Sequence, residues 1–438
     1  MTEWVNELKF TQSTYQGGVF NFIYELDGKQ SILTLTHSIS STLPEETILK
    51  IGFNLGMCYL IDMAEIVLPR KIWIYKSLPD LALAYWKTLL EEVVLEKLYA
   101  NKLPSSMKYV EWESGNDAID LKLGSLPKNR DKAAVCLTGG KESLAIFKTL
   151  VDKKPMLLLF LDTESNVHRQ RVYESVKDTF MTTRTISNRQ DIFPGLERDY
   201  KGLQSGVDMA HLVFNTMLYA DICEYMLIGN EYSSNFPNDV YEGNIINHQY
   251  VKTIHFAENI NRYVHEFVTP DFSYYSPFFG MYEFLIADLF FKNDDYLDVW
   301  TSCNQTTPDI NFCSNCYKCA FTYLLARTKK SEAYLSQFFS KNMLDEIKLY
   351  KPMMDFTGVK PLDCVGDKTE VWVCLEILLE NGAKGKVIDY YQKYIRPTIS
   401  GEIADFKDQI ASIQRVPVSS PADLQAIFTK TLKEVATT

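Results

Sequence analysis

Leu137-Thr-Gly-Gly-Lys-Glu-Ser143 is the stretch whose reading decides the fold. It follows Ala133-Ala-Val-Cys-Leu137, a short apolar run of the kind found in strands buried on both faces. After it, residues 143–151 take helical spacing. Strand, glycine turn and helix together place this loop at the carboxyl end of a first parallel strand, where open α/β sheets bind ligands. Two glycines let the backbone approach a phosphate, and the helix start offers N–H groups and the positive end of a dipole. Lys141 adds a charge and Ser143 a hydroxyl. The spacing is neither that of the Walker loop nor G-x-G-x-x-G.

The same rhythm continues outward. A second apolar run at 156–161 precedes a helix over 166–180. A third strand is expected at 184–187, then a helix over 207–225 running into Met226-Leu-Ile-Gly229. Alternating strands and helices predict a central parallel, doubly wound sheet. Upstream, residues 19–36 read as a hairpin turning at Asp27-Gly28. Helices over about 45–67 and 81–99 and a strand near 109–112 complete an α+β region. The polar stretch 126–132 reads as a linker, and helical periodicity dominates the last hundred residues. The expected organisation is an α+β domain over 1–125, an α/β domain over 126–330 and a helical region over 331–438.

The chain has 438 residues, 46% hydrophobic and 23% charged, the balance of a soluble globular protein. Its net charge of −11 argues against a general grip on nucleic acid or an anionic membrane, so any anionic substrate needs a local basic pocket. No signal peptide and no run of about 20 apolar residues is expected, which points to the cytoplasm. Nine cysteines, an odd number, do not suggest a disulfide framework. Four of them, Cys303, Cys313, Cys316 and Cys319, form C-x9-C-x2-C-x2-C. Two-residue spacings let thiolates converge on one tetrahedral ion, which favours structural zinc, with an iron–sulfur cluster as the alternative. Cys58, Cys136, Cys223 and Cys374 lie in apolar runs and read as packing residues.

The loop at 138–143 resembles the S-G-G-x-D-S loop of the PP-loop ATP pyrophosphatases, with Thr138 in place of Ser and Glu142 in place of Asp. That resemblance implies that Thr138, Gly139, Gly140, Lys141, Glu142 and Ser143 bind ATP while a carboxylate is adenylated. Asn230 and Glu231, after the strand ending at Gly229, face the same crevice. Glu231 would help hold Mg²⁺ and Asn230 a phosphate or ribose; Asp162 is a lesser candidate. A similar cysteine cluster holds zinc in 7-cyano-7-deazaguanine synthase.

Further pieces appear in fixed order: Gly229-Asn-Glu-Tyr-Ser-Ser-Asn235, Asn247-His-Gln-Tyr-Val-Lys252, the cysteines, and Gly358-Val-Lys-Pro-Leu-Asp-Cys-Val-Gly366. From the phosphate loop to about residue 367 this set resembles the MurL family. The resemblance implies ATP-dependent inversion of the terminal L-glutamate of a UDP-linked muramoyl dipeptide through an acyl-adenylate, with AMP and pyrophosphate released. His248, Asp363 and Cys364 are the candidates for proton transfer; Lys252 and Lys360 are candidates for binding the anionic substrate. By residue type alone, Cys364 reads equally as a small buried hydrophobe. His211, His255 and His265 read as packing or surface residues, and the aromatic run 274–279 as core. Three other readings remain open: an amide- or nitrile-forming PP-loop ligase, an epimerase of a different glutamyl peptide, and a nucleotide-binding module without turnover. Oligomeric state is not readable.

Overall fold

The structure is a computed structural model, and it describes residues 5–161, 167–189, 207–303, 305, 310–356, 358–417 and 420–436. Asp162 lies outside the described residues.

The chain opens with a meander of β1 (Glu7–Gln16), β2 (Val19–Leu26) and β3 (Lys29–His37). The expected turn is present: Asp27 (φ 45°) and Gly28 (φ 84°) both take the left-handed conformation that a two-residue hairpin needs. Strand β1 escapes sequence reading because its string ELKFTQSTYQ is mostly polar and a bulge between Phe10 and Gln12 resets the alternation. Then come α1 (Glu45–Val67), β4 (Lys71–Ile74), α2 (Asp80–Ala100) and β5 (Glu111–Ser114). The four residues of β4 are too few to show a period. Helix α1 has the length and apolar content of a membrane span, which the sequence reading did not anticipate. However, 83% of its apolar window is buried within the protein, as in a core helix.

The α/β portion runs β6 (Lys132–Cys136), α3 (Lys141–Leu150), β7 (Met156–Leu161), α4 (Val167–Val176), β8 (Met181–Ser187), α5 (Asp208–Met217) and β9 (Cys223–Leu227). A small hairpin of β10 (Asp239–Tyr241) and β11 (Asn244–Ile246) follows, then α6 (Ile254–Tyr263), β12 (Ser273–Tyr275), α7 (Glu283–Phe290) and α8 (Tyr317–Arg327). The remainder is helical, as expected: α9 (Glu332–Leu335), α10 (Ile347–Met354), α11 (Lys368–Glu380), α12 (Lys386–Tyr390), α13 (Arg396–Ile399), α14 (Ile403–Ile410) and α15 (Ala422–Ala436).

A ten-stranded, mostly parallel sheet runs in the order β12-β9-β6-β7-β8-β3-β2-β1-β4-β5, and β10 and β11 pair apart from it. Antiparallel pairing of β3 with β8, through Leu35–Ser187, Thr36–Ile186 and His37–Thr185, joins the meander to the parallel strands. Alternate residues of the central strands enter two cores on opposite faces. Ala134, Cys136, Leu157 and Leu159 join α1, α2 and α5 on one face. Ala133, Val135, Leu158 and Phe160 join α3, α7, α8 and the C-terminal helices on the other. Covering both faces explains why β6 and β7 read as continuous apolar runs.

Strands β6, β7 and β8 follow one another in one direction, and β9 then returns to the other side of β6. This reversal is a topological switch point. The loops leaving the carboxyl ends of β6 and β9 therefore open a crevice between them.

Candidate active site

The loop after β6 is shaped by its glycines. Gly139 has φ +83°, and a Cβ there would press on Val172. A Cβ on Gly229, in the loop after β9, would run into Glu142, so the two loops touch because Gly229 has no side chain. Ser143 Oγ accepts the Thr138 N–H (3.2 Å) and donates to the Gly140 carbonyl (3.0 Å), closing the turn. Helix α3 begins after Gly140 with no side-chain cap, which leaves its first N–H groups pointing at the crevice.

The crevice is a cavity of about 300 Å³. Thr138, Gly140, Glu142, Ser143, Asn230, Lys252, Cys303 and Cys364 line it, all of them named from the sequence. His168, Arg169 and Lys318 line it too, and sequence reading missed them. Lys318 stands inside Cys316-Tyr-Lys-Cys319 and so travels with the cysteine motif; Arg169, on α4, left no such signal.

Lys141 is placed differently from expectation. It is 2% exposed and does not line the cavity; its ammonium is held between the Glu142 and Glu283 carboxylates. Burial disfavours its charge, but the two carboxylates outweigh this and hold its pKa above the ordinary lysine value. Glu283 is pushed up by burial, with repulsion from Glu231 and Glu142 adding to it. Glu142 goes the other way: burial is overcome by Lys141 and Lys252.

Glu231 is 2% exposed. Its Oε1 accepts the Gln249 amide (2.9 Å), while its Oε2 has no hydrogen-bond partner among the described residues. This orphaned buried carboxylate oxygen, in the loop that Gly229 brings against Glu142, is the kind of hard oxygen ligand that Mg²⁺ prefers. Asn230 is fixed by Tyr274 and Ser276.

On the far wall, three segments meet at Cys364. Lys252 Nζ lies 3.6 Å from its sulfur. His248 interacts with the same thiol, and its Nδ1 lies 2.7 Å from Glu96 Oε1 on α2. Burial disfavours the Cys364 thiolate, but Lys252, Lys318 and His248 reverse this and bring the thiol down to about 6. Burial likewise disfavours the imidazolium, yet Cys364 and Glu96 raise His248 to about 10. A thiolate beside an imidazolium is the resulting charge state near neutral pH. Cys364, Lys252 and Met209 also line a second cavity of about 70 Å³, which contains His248 and Glu96.

Asp363 and Lys360 line neither cavity. Asp363 accepts the N–H groups of Cys364 (2.8 Å) and Lys318 (3.3 Å) and so positions both residues. The Lys360 ammonium reaches the Phe236 carbonyl at 3.4 Å, and burial lowers its pKa.

The sulfurs of Cys303, Cys313, Cys316 and Cys319 lie within 4.8 Å of one another. Backbone N–H groups of Gln305 and Cys313 point at the Cys303 sulfur, and that of Cys319 at the Cys316 sulfur. Such donors suit thiolates, and four soft ligands fit one tetrahedral ion or a four-cysteine cluster. The cysteine loop is bonded to the glycine loop: the Thr301 N–H donates to the Gly139 carbonyl at 2.9 Å.

Comparison with known proteins gives a consistent result. A family model described as the MurL N-terminal domain matches residues 4–277, and one described as the MurL C-terminal domain matches 299–399. Three relatives are curated as UDP-N-acetyl-alpha-D-muramoyl-L-alanyl-L-glutamate epimerases. That of Micromonospora sp. is 23% identical over 390 residues, covering 82% of this chain and 83% of the relative. That of Xanthomonas oryzae is 27% identical over 201 residues, 44% of each chain. That of Salinispora tropica is 29% identical over 162 residues, 35% of each. No solved structure matches.

Two outcomes are expected of this geometry. Lys141→Met strands the buried Glu283 carboxylate and removes a partner of the half-buried Glu142, so it lowers stability in urea unfolding by about 3–5 kcal/mol. Adding Glu283→Gln recovers part of that loss; no recovery would contradict the pairing. Second, the Cys364 thiol lies below its ordinary value, so its thiolate is present above about pH 6. Iodoacetamide labelling of Cys364 therefore rises through that pH, and Lys252→Met shifts the midpoint upward. A midpoint near that of an ordinary thiol would contradict the placement.

Proposed function

The chain belongs to the MurL family, and from that membership we propose that it inverts the terminal L-glutamate of UDP-N-acetylmuramoyl-L-alanyl-L-glutamate in an ATP-dependent step of peptidoglycan precursor synthesis. It is an epimerase. The observation that carries the mechanistic reading is that one cavity holds both the Gly-rich loop at the start of α3 and the Cys364 thiol with Lys252 beside it.

The chemistry requires such a combination. A free carboxylate makes the adjacent C–H a very poor acid, because deprotonation would place a second negative charge beside the first. Transfer of AMP from ATP converts the carboxylate into a mixed anhydride and expels pyrophosphate. The α-proton then becomes far more acidic, and donors fixed in the site stabilise the enolate. The strand, glycine loop and helix of β6–α3 support a PP-loop pyrophosphatase fold for this step. The N–H groups at the start of α3 and the Ser143 hydroxyl bind the phosphates. Lys252, Lys318 and Arg169 supply the local positive charge that an acidic chain must gather. Glu142 and Glu231 would hold Mg²⁺, which when bound neutralises phosphate charge. Lys141 keeps Glu142 in position rather than touching phosphate, which reassigns the role read from the motif. Asn230 orients the nucleotide. The four cysteines would hold a structural zinc, which would tie together the loop that carries Thr301 and Cys303 and the start of α8 that carries Lys318.

Proton transfer falls to the Cys364–His248 pair. Asp363 positions Cys364 through its backbone. Lys360 does not line the cavity and faces the carboxylates of Asp367, Glu231 and Glu283, whose charge it balances. A cytoplasmic reaction is the reading that fits ATP and a nucleotide-linked substrate.

The test is incubation with ATP, Mg²⁺ and the UDP-linked L-Ala-L-Glu substrate in deuterated water. The expected result is AMP, pyrophosphate and one deuterium at the glutamate α-carbon, with all three reduced in Glu142→Gln. ATP cleavage without α-exchange would point to a ligase, and no cleavage would remove the adenylation step.

A further inference from the structure

Glu96 on α2, His248 after β11 and Cys364 before α11 are far apart in sequence, and they meet in one place. Several side chains serve only to bring them together. Asn238 Oδ1 accepts the His248 N–H at 2.8 Å, and Asn238 Nδ2 donates to the Pro361 carbonyl at 2.7 Å. One amide thus ties the histidine to the segment carrying the cysteine. Tyr99, three residues after Glu96, donates to Asp239 at 2.7 Å and pins the β10–β11 hairpin to α2. Glu96 and His248 are 14% and 11% exposed and 2.7 Å apart. With Nδ1 engaged by Glu96, Nε2 is the nitrogen left for the thiol.

A carboxylate that orients an imidazole, which in turn activates a thiol, is the arrangement of a nucleophile. A thiol acting only as a proton acceptor needs no such orienting chain. Cys364 also sits on the partition between the two cavities, with the phosphate loop on one side and His248 and Glu96 on the other. A group activated at the phosphate loop therefore lies next to the sulfur.

We propose that Cys364, His248 and Glu96 form a nucleophilic triad that receives the glutamyl group from AMP as a thioester, and that the α-carbon is inverted on this thioester. The proposal rests on the adenylation reading above and narrows the proton-transfer role given there to the Cys364–His248 pair to His248 alone. In the first step the Cys364 thiolate attacks the acyl carbon; the C–S bond forms, the bond from carbon to the AMP oxygen breaks, and AMP leaves with that oxygen. The thioester keeps the α-proton acidic. Acylation removes the thiolate charge, so His248 loses one of the two anions that held its proton. It gives up its Nε2 proton to solvent, keeps its Nδ1–H on Glu96 and becomes the base that the next steps require. Inversion removes one α-proton and returns one to the opposite face. In the last step water attacks the thioester carbonyl, His248 takes the water proton, and the C–S bond breaks to restore the thiolate.

The experiment is a single turnover with enzyme in excess over the UDP-linked L-Ala-L-Glu substrate, ATP and Mg²⁺, quenched in acid over a series of times. Intact-protein mass and peptide mapping are expected to show the substrate, less one water, on Cys364, and hydroxylamine to remove it. Cys364→Ala is expected to keep measurable exchange of labelled pyrophosphate into ATP, which reports a folded adenylation site. It forms no adduct, and its α-deuteration falls about a hundredfold or more. Glu96→Gln lowers the rate of AMP release in the acyl-transfer step while leaving pyrophosphate exchange in place. Absence of the adduct at every quench time, or α-deuteration by Cys364→Ala at the wild-type rate, overturns the triad while leaving adenylation standing. Absence of pyrophosphate exchange in the wild-type protein overturns the adenylation reading itself.

Discussion

An ammonium group cannot leave water without a counter-charge, and the structure is organised around the place where this chain meets that constraint. An isolated ion costs of order 20 kcal/mol to bury in an idealised low-dielectric interior. Lys141, 2% exposed, is neutralised by its neighbour Glu142 and by Glu283 from α7. The compensation spreads from there. Glu370 on α11 accepts the N–H of Phe284, beside Glu283, at 3.1 Å, and it completes a capping box with Asp367. Lys252 and Lys360 face the same carboxylates from other segments. A chain with net charge −11 thus spends its local cations where its buried acids gather, and the glycine loop, α7 and α11 are locked to one another.

The sheet supplies the other half of the arrangement. Because β9 returns to the far side of β6, the loops at 138–143 and 229–231 face each other across one crevice, and Gly229 lets them touch. The cysteine loop then closes onto the crevice: Thr301 is bonded to Gly139, and α8 presents Lys318 to the cavity. Asp363 fixes both Lys318 and Cys364 through backbone amides. The four-cysteine cluster and the cavity are therefore mechanically joined.

The parts of the fold that were legible in the sequence are those in which a local pattern carries the information. The Asp27-Gly28 turn, α1, the runs of β6 and β7 and the helical C-terminal portion each follow from composition or period. Strand β1 was hidden by its bulge and polar outer face, β4 by its length. In the site, the glycine loop, Lys252, Cys364 and the four cysteines were readable because each sits in a dense polar or sulfur-rich motif. Glu96, Arg169 and Glu283 were not, since nothing local distinguishes a helix-surface acid or base from one turned into a cavity by the packing of remote segments. Lys141 has a partner that no local pattern announces, because Glu283 reaches it from the remote helix α7.

The central claim is that the substrate carboxylate is activated by AMP transfer in this crevice. Labelling that carboxylate with ¹⁸O tests it directly, because the oxygen that attacks the α-phosphorus stays with AMP when the acyl group departs. The account predicts AMP carrying one ¹⁸O for each glutamate inverted. Unlabelled AMP, or label appearing in inorganic phosphate alongside ADP, would contradict it.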